Sequence, residues 1–332
     1  MSIFKQSKSV GNHQLKIYIE DIPSKYNNDL IKDKCSYCNC NNYHLIGLEP
    51  LIHCLIENSD LKTQSIDDAT FIFVPSYTSL YRQQTEFIDI PDEVKKTKSF
   101  KLWHGSRHLI VDSSIFYGYN DNYMKFSDQH VVIATNLTID FIRQDRWLNS
   151  RHIQVPPLQV QDSYPKNEKT NSIVFIGNSA GISDILSSSN VRILSDNDDI
   201  LNNICSSNFT ILRPNEIYLP QFIYEIIRCR SIPILLSGPF LPAYANTHID
   251  YSKLSIRLDI NNISQLQTRI NTFDLEKGLE YISKVYNHFF WPLNGKRTKG
   301  DAADILFDYL SIRDLVLTPV LRRKYIGSDD YI

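Results

Sequence analysis

The stretch "FTILRPNEIYLPQFIYEIIRCRSIPILLS" (209–237) contains a complete strand–helix–strand unit. Two apolar runs, at 209–214 and 231–237, stand on either side of a segment, 216–229, whose apolar residues recur at helical spacing. Near-continuous apolar runs are typical of parallel strands, because helices cover both faces of a parallel sheet. The stretch therefore predicts an α/β fold built on a parallel sheet.

Strand and helix patterns alternate along the rest of the chain as well. Further strand patterns occur at 15–22, 69–77, 100–105, 130–136, 151–160, 172–178, 191–195 and 253–259. Further helical patterns occur at 48–58, 262–272, 274–290 and 301–315, where Asp301 is a candidate N-cap. We therefore expect α/β architecture throughout, with helices closing the chain.

Residues 161–171, "QDSYPKNEKTN", interrupt this pattern, since they are polar, contain proline and show no apolar periodicity. A chain of 332 residues is long for a single core, so these residues are predicted to link two domains. The predicted domains are 1–160 and 172–300, followed by a C-terminal helix and tail at 301–332. Open parallel sheets bind ligands at the carboxyl ends of their strands, so we expect the chemistry in a cleft between the domains.

Composition excludes several classes of partner. The net charge is −2, and this balance does not favour nucleic acid or an anionic membrane as a partner. The polar N-terminal residues lack the apolar core of a signal peptide, and no apolar run is long enough for a membrane span. We therefore expect a cytoplasmic or otherwise soluble chain without signal peptide or membrane anchor.

Six cysteines are present, and in such a chain we expect them to be reduced thiols. Three of them, Cys35, Cys38 and Cys40, lie close to His44 in sequence and could hold a structural zinc ion together with it. Zinc sites usually use two separated ligand pairs, whereas these four residues crowd into one segment. A polar loop without metal is the favoured interpretation.

Two turns in the second half could bind phosphate. The strand pattern at 172–178 runs into Gly177, Asn178 and Ser179, where exposed backbone N–H groups before a helix could bind an anion. Next along the chain, Arg213, Pro214 and Asn215 follow the strand pattern at 209–214. The planar fork of a guanidinium suits paired phosphate oxygens. An ordinary strand-to-helix turn and a surface arginine are the competing interpretations.

Glu225 lies in the helical pattern between these apolar runs. A carboxylate there could accept both hydroxyl hydrogens of a ribose diol. The alternative is a solvated helix charge, or an ion pair with Arg228 at the i, i+3 spacing.

The order of these segments resembles the exostosin-type glycosyltransferases. Glu225 stands eight positions before Pro233, as the family's helix acid stands before the proline of its "IPV" strand. Further segments resemble the family in the same order: "LKIYIEDIPSKYN" (15–27), "EPLIHCLIENSDLKTQSIDDATFIFVPSYTSL" (49–80), "LWHGSRHLIVD" (102–112), "IQVPP" (153–157) and "GPFLPAYANTHIDYSKLSIRLDINNISQL" (238–266). The resemblance covers most of residues 15–270.

The resemblance implies two Rossmann-like domains facing a cleft, the GT-B fold. It also implies an inverting, metal-independent transfer of a sugar from a nucleotide sugar, expected to be UDP-linked, to a hydroxyl of a glycan acceptor. No further cofactor is implied. By this analogy Glu225 binds the ribose, while Arg213 and the Gly177–Ser179 turn face the diphosphate. Phe222 stands where the family often has a phosphate-contacting arginine, and Arg230 where it has glycine, so Arg228 or Arg230 could supply that contact instead.

Inverting transfer requires a base near the acceptor hydroxyl, on the side of the N-terminal domain. His104, His108 and Asp112 are the candidates, and histidine suits the role by its pKa near neutrality. We predict His108 as the base, with Asp112 as the alternative. Trp103, His104 and Arg107 are then expected on the acceptor side.

Three alternatives stay open at this point, one of which is an unrelated two-domain α/β enzyme. Phe222 and Arg230 depart from the family pattern, so the chain could be a non-catalytic nucleotide- or glycan-binding protein on a degenerate transferase scaffold. Asp196-Asn197-Asp198 forms a D-x-D sequence, which metal-dependent GT-A transferases use to hold a divalent ion. The favoured interpretation of that sequence is a helix N-cap with acids in the first turn, so no metal site is predicted.

Overall fold

The computed structural model describes residues 15–32, 47–82, 89–113, 131–134, 152–158, 168–177, 179–195, 198–213, 219–236, 242–245, 248–292 and 295–312. Within these ranges the strands form two sheets. Every strand pair in both sheets is parallel. This arrangement confirms the predicted fold class, two Rossmann-like α/β units.

The first sheet has the strand order β2-β1-β3-β4-β5-β6. Its strands are β1 (Ile17–Ile19), β2 (Lys62–Thr63), β3 (Phe71–Val74), β4 (His108–Asp112), β5 (Val131–Ala134) and β6 (His152–Gln154). The central strands β3 and β4 are buried along their whole length. Burial on both faces explains why β3 is read from the sequence as a continuous apolar run.

The second sheet has the order β11-β10-β9-β7-β8. Its strands are β7 (Thr170–Ile176), β8 (Val191–Ile193), β9 (Ser207–Leu212), β10 (Ile232–Leu236) and β11 (Ile256–Leu258). The last strand of the first sheet ends at Gln154, and the first strand of the second sheet begins at Thr170. This interval includes most of the predicted linker. The domain boundaries themselves stay predictions.

Helices connect and cover the strands. The described helices are α1 (Asn28–Ile31), α2 (Leu48–Glu57), α3 (Thr78–Arg82), α4 (Ile90–Lys96), α5 (Lys98–Trp103), α6 (Ser183–Ser188), α7 (Ile200–Ser206), α8 (Leu219–Arg228), α9 (Leu266–Thr272), α10 (Leu275–Val285) and α11 (302–312). In the described part of the chain, each helix is too short or too polar to cross a membrane.

The strand predicted at 100–105 is wrong, because this segment belongs to α5. Thr97 caps the helix, since its hydroxyl oxygen accepts the N–H of Phe100 at 3.2 Å. His104 ends it in the left-handed region, at φ 45°. The apolar residues of "FKLWHG" suggested a short buried strand, but a capped short helix can contain the same residues, and the strand follows at His108–Asp112.

The prediction of reduced thiols is wrong for Cys205 and Cys229, which form a disulfide with their Cα atoms 4.4 Å apart. The two residues are separated by 24 positions, and adjacent packing of α7 and α8 brings them together. Cys54 is also disulfide-bonded. The cluster of Cys35, Cys38, Cys40 and His44 lies outside the described residues.

Two chain segments, one between β10 and β11 and one after β11, contact the end of the first sheet. The N–H of Tyr244 donates to the carbonyl of Gln154, the last residue of β6, at 3.1 Å. The indole N–H of Trp291 donates to the carbonyl of Pro156 at 2.8 Å. The hydroxyl of Tyr244 in turn donates to the carbonyl of Ala302 at 2.7 Å, at the start of α11. The carboxyl end of β6 therefore meets the segment that follows β10.

Gly278 allows α10 to pack closely on the second sheet. A Cβ at this position would lie 2.7 and 2.9 Å from ring carbons of Phe273 and 3.1 Å from Cδ1 of Ile232. We predict that Gly278→Ala lowers the free energy of unfolding by about 1–3 kcal/mol, because overpacking forces the ring or the helix to move.

Urea unfolding measures this change, with Glu276→Ala on the exposed face of α10 as the control, expected within about 0.5 kcal/mol of the wild type. Alanine is favoured over glycine in helices by about 1 kcal/mol. A more stable Gly278→Ala variant would therefore contradict the packing described for α10.

Candidate functional site

Two predicted turns meet at the carboxyl edge of the second sheet. Gly177 follows β7 and Arg213 follows β9, and these strands are neighbours. Gly177 has φ +122°, and a Cβ there would lie 3.1 Å from the carbonyl oxygen of Arg213. Glycine is therefore required on two grounds, its backbone conformation and the close approach of Arg213.

The guanidinium of Arg213 is anchored beside this turn. Its Nη1 donates to the carbonyl of Ala180 at 2.7 Å. The residue stays partly exposed, as does Ser179. The structure thus brings Gly177, Ser179 and Arg213 together, as a fixed positive charge beside a glycine turn. The other predicted members of this group, Asn178, Pro214 and Asn215, lie outside the described residues.

Glu225 lies in the second half of α8 and forms an ion pair within the helix. Nη1 of Arg228 lies 3.2 Å from Oε1 of Glu225. The Arg228 side chain is 1% exposed and the Glu225 side chain 20% exposed, so a buried cation holds a carboxylate that reaches the surface. The guanidinium of Arg228 also lies over the ring of Phe290, 4.8 Å from its centroid. The i, i+3 ion pair that the spacing allowed is therefore present.

Arg230 lies elsewhere in the domain. It precedes β10 with φ +53°, and its Nη2 donates to the hydroxyl of Ser283 at 3.2 Å. Since the strands are parallel, a residue before β10 lies at the amino edge of the sheet, opposite to Arg213. The structure does not bring Arg230 to the Gly177–Arg213 cluster.

The residues predicted for the acceptor side lie before β4, at the amino edge of the first sheet. Arg107 donates from Nη1 to the carbonyl of Ala69 at 3.0 Å, and its guanidinium stacks on Trp103, 3.7 Å from the ring centroid. His104 ends α5. These contacts tie α5 to the start of β3, and they hold the three residues away from the carboxyl edge.

His108, the predicted base, is the first residue of β4 and is fully buried. Its Nε2 lies 3.1 Å from the hydroxyl oxygen of Ser99. Burial lowers the pKa of His108 to about 4, so the ring is neutral near pH 7. The Ser99 hydroxyl also donates to the carboxylate of Glu20. His108 is thus the inner end of a hydrogen-bonded chain that ends at Glu20.

Asp112, the alternative base, is the last residue of β4 and lies at the carboxyl edge, fully buried. Burial and, to a smaller extent, the charge of Asp112 raise the pKa of Glu49 well above its usual range. The Glu49 carboxylate accepts the backbone N–H groups of Ser79 at 3.1 Å and of Ser113 at 3.2 Å. Sequence reasoning missed Glu49, although an acid in the first turn of an apolar helix was a usable signal.

A polar cavity of about 690 Å³ lies at the carboxyl ends of β1 and β2. Its charged and titratable lining residues are Tyr18, Glu20, Asp21, His53, Glu57 and Lys62. Lys62 forms an ion pair with Glu57, and Nδ1 of His53 lies 2.8 Å from the hydroxyl of Tyr77. Two adjacent acids directly after a strand signal this site in the sequence, but the prediction did not use them.

The D-x-D sequence contributes to a local turn. The Asp198 carboxylate accepts the N–H and the hydroxyl of Ser195, each at 2.8 Å, and pairs with Arg192 at 2.9 Å. The cap of α7 is the next residue, Asp199, which accepts the N–H of Asn202. Asp196 and Asn197 lie outside the described residues. Among the residues that the structure describes, no group of three His, Cys, Asp or Glu side chains is placed to hold a metal ion.

The structure thus has two parallel sheets, with a glycine–arginine cluster at the carboxyl edge of the second and a polar cavity at the carboxyl edge of the first, the edge at which open parallel sheets bind ligands. The chain belongs to the exostosin family and is a glycosyltransferase of family GT47, since the family model described as "Exostosin GT47 domain" matches residues 11–273. The resemblance inferred from the order of segments is confirmed.

Two curated relatives are similar over shorter stretches. Both are described as probable glucuronoxylan glucuronosyltransferases of Arabidopsis thaliana, with 37% identity over 67 residues and 39% identity over 70 residues. Each match covers 20% of this chain, and 13% and 14% of the respective relative. The matched stretches thus span less than a sixth of either relative.

Two solved structures show a distant likeness. The match to a chain of the GtfA/B complex spans 80% of this chain and 60% of that chain, with a TM-score of 0.37 and 11% sequence identity. The match to the glycotransferase of kitacinnamycin spans 89% of this chain and 84% of that chain, with a TM-score of 0.33 and 10% sequence identity. Neither likeness assigns a role to a residue of this chain.

The buried His108 makes a prediction about stability. Its pKa is about 4 in the folded protein and near 6.5 in the unfolded chain, so the unfolded chain binds more protons between these values. The stability that neutral His108 contributes is therefore lost as the pH falls from 6.5 to 4, by roughly 3 kcal/mol in total.

Urea unfolding between pH 7 and 4 measures this loss. His108→Gln is expected to remove this contribution to the pH dependence of the free energy of unfolding. His104→Asn should keep it, because His104 is exposed and asparagine tolerates the left-handed backbone conformation found there. Equal slopes for the wild type and His108→Gln would show that His108 is not buried in the neutral form.

Proposed function

We propose that this chain is an inverting glycosyltransferase that transfers a sugar from a UDP-linked donor to a hydroxyl of a glycan acceptor. The observation that carries the proposal is the contact between Gly177 and Arg213 at the carboxyl edge of the second sheet. Open parallel sheets bind nucleotides at this edge, and membership of the GT47 family supplies the reaction class.

The Arg213 cluster suits a diphosphate. The glycine turn lets a ligand approach the backbone, and a guanidinium offers parallel N–H donors to two phosphate oxygens. In the transition state, negative charge develops on the diphosphate as the sugar leaves. A guanidinium already fixed by the carbonyl of Ala180 can stabilise this charge without reorganising. Arg213 is therefore assigned to the leaving group.

Glu225 is proposed to accept the ribose hydroxyl hydrogens. The buried guanidinium of Arg228 pairs with the carboxylate and limits its rotation, while the exposed part of the side chain can reach a ligand. The proposal does not include Arg230, because it lies at the amino edge of the sheet.

The proposed reaction is independent of metal ions. In this proposal Arg213 supplies the positive charge that a divalent ion supplies in other transferases. A transfer assay in EDTA tests this point, and full activity is expected. Strict dependence on manganese would instead favour a metal-dependent role for the Asp196–Asp198 segment.

The names of the relatives suggest where to begin with donors. Both are described as glucuronosyltransferases, so UDP-glucuronate is the first donor to test, with xylan fragments among the acceptors. Because the matches cover less than a sixth of either relative, other UDP-linked hexoses and pentoses belong in the same panel.

A thermal-shift and titration panel of nucleotides and nucleotide sugars tests the donor site. We predict that UDP stabilises the wild type and that Arg213→Ala weakens UDP binding about 10- to 100-fold, because a charge-assisted hydrogen bond contributes about 1.5–3 kcal/mol. Gly177→Ala should weaken binding as well, since its Cβ would meet the Arg213 carbonyl. Arg269→Ala, at an exposed arginine of α9, is the control and should leave binding unchanged.

The outcomes separate the candidate functions. Transfer of sugar to a glycan acceptor, with loss of UDP binding in Arg213→Ala, supports the proposal. Binding of UDP without turnover on any donor and acceptor pair would favour the non-catalytic alternative. UDP binding that is unaffected by Arg213→Ala and by Gly177→Ala would remove the assigned donor site.

A further inference from the structure

Glu20 holds a fixed position at the wall of the β1–β2 cavity. It directly follows β1, and its backbone N–H donates to the carbonyl of Phe73 at 2.8 Å, which extends the strand pairing by one residue. The residue is 6% exposed and lines the cavity. A carboxylate on an extended strand is held more rigidly than one on a loop.

Two buried side chains support this carboxylate from behind. The Ser99 hydroxyl donates to Oε2 of Glu20, and Nε2 of His108 lies 3.1 Å from the same Ser99 oxygen. Because a serine hydroxyl has one proton and gives it to the carboxylate, the neutral His108 ring donates to Ser99. Ser99 and His108 are both fully buried, so protein encloses this hydrogen-bonded chain.

We propose that Glu20 is the general base of the transfer and that the β1–β2 cavity holds the acceptor sugar, with Ser99 and His108 as positioning residues. This inference rests on the function proposed above. It replaces His108 as the group that touches the substrate, and it retains His108 as the inner support of that group.

The chemical step balances without a further reactant. The Glu20 carboxylate takes the proton of the acceptor hydroxyl, and the hydroxyl oxygen forms a bond to the anomeric carbon of the donor. The bond between that carbon and the diphosphate oxygen breaks, and its electron pair leaves with UDP. Attack opposite to the leaving group inverts the anomeric centre. The proton on Glu20 then passes to solvent through the cavity.

The surroundings of Glu20 suit a base. Burial raises the pKa of Glu20, while the hydrogen bonds from Thr97 and from the N–H of Asp21 oppose this shift. The charge of Asp21 raises the pKa of Glu20 further, and Glu20 in turn helps to raise the pKa of Tyr18. A base is most effective when its pKa approaches the working pH.

Other titratable groups of the cavity are less suited to this role. Burial lowers the pKa of His53 to about 4, and its ring nitrogen is engaged with the hydroxyl of Tyr77. Glu57 is ion-paired with Lys62. Asp21 is exposed to solvent, which leaves its carboxylate strongly hydrated. Asp21 is therefore the competing base that the experiment has to exclude.

The cavity suits a sugar. Its volume of about 690 Å³ is within the usual range of small-ligand sites, and amide side chains of Asn27, Asn28 and Gln64 line it beside the charged groups. Amides can both donate and accept hydrogen bonds, as the hydroxyls of a saccharide require.

The test is turnover of the donor and acceptor pair that the wild-type chain uses, with UDP binding measured separately for every variant. Glu20→Gln is expected to lower kcat by about 10²- to 10⁴-fold with UDP affinity unchanged. Glu276→Gln, at an exposed glutamate of α10, is the matched control and should keep full activity. Loss of turnover in Asp21→Asn, together with retained turnover in Glu20→Gln, would overturn the assignment.

The pH profile separates positioning from general damage. The Ser99 hydroxyl stabilises the ionised carboxylate, so Ser99→Ala should move the acid limb of kcat/KM to higher pH, with partial recovery of rate above it. An equal loss of rate at every pH would show that Ser99 is structural only, and would contradict its positioning role.

Two further measurements keep the test decisive. If Glu20→Gln does not fold, Glu20→Asp retains a carboxylate one methylene shorter, and the proposal requires a lower kcat with an acid limb still present. A Glu20→Asp variant with wild-type kcat would contradict it. Absence of UDP binding in the wild type would instead reject the donor proposal, which distinguishes the two failures.

Discussion

Parallel strand pairing is the constraint on which the rest of this structure depends. In a parallel sheet every strand ends at the same edge, so residues far apart in sequence are brought together wherever strands are neighbours. Gly177 and Arg213 meet for this reason, because each follows one of two paired strands, β7 and β9. Glu20 reaches the edge of the first sheet in the same way, after β1. The pairing also explains why Arg230, which precedes its strand, lies away from the Gly177–Arg213 cluster.

Several buried acidic side chains lie near the carboxyl edge of the first sheet. Removing a carboxylate from water is costly unless hydrogen bonds replace its hydration, and two of the buried acids, Glu49 and Glu20, meet that condition. Glu49 is held by backbone N–H groups that follow β3 and β4, and Glu20 by the Ser99–His108 chain. The first arrangement ties two strand ends together. The second leaves its carboxylate at a cavity, and this difference in access is why the catalytic proposal concerns Glu20.

The fold and the family could be predicted because they depend on local patterns and on segment order. Continuous apolar runs identified the strands, and the spacing from Glu225 to Pro233 identified the helix–strand unit. The α5 helix was missed because the cap at Thr97, which distinguishes it from a strand, lies outside residues 100–105. The disulfide between Cys205 and Cys229 and the Glu20–Ser99 contact, 79 residues apart, are set by tertiary packing, which no local pattern encodes. The burial of His108 depends on the same packing.

A crystal structure of the chain with UDP tests the central claim most directly, namely that the nucleotide binds at the carboxyl edge of the second sheet. The account predicts diphosphate oxygens within about 2.7–3.2 Å of the Arg213 guanidinium nitrogens, and the ribose hydroxyls against Glu225. A nucleotide bound at the amino edge, against Arg230, would contradict the account.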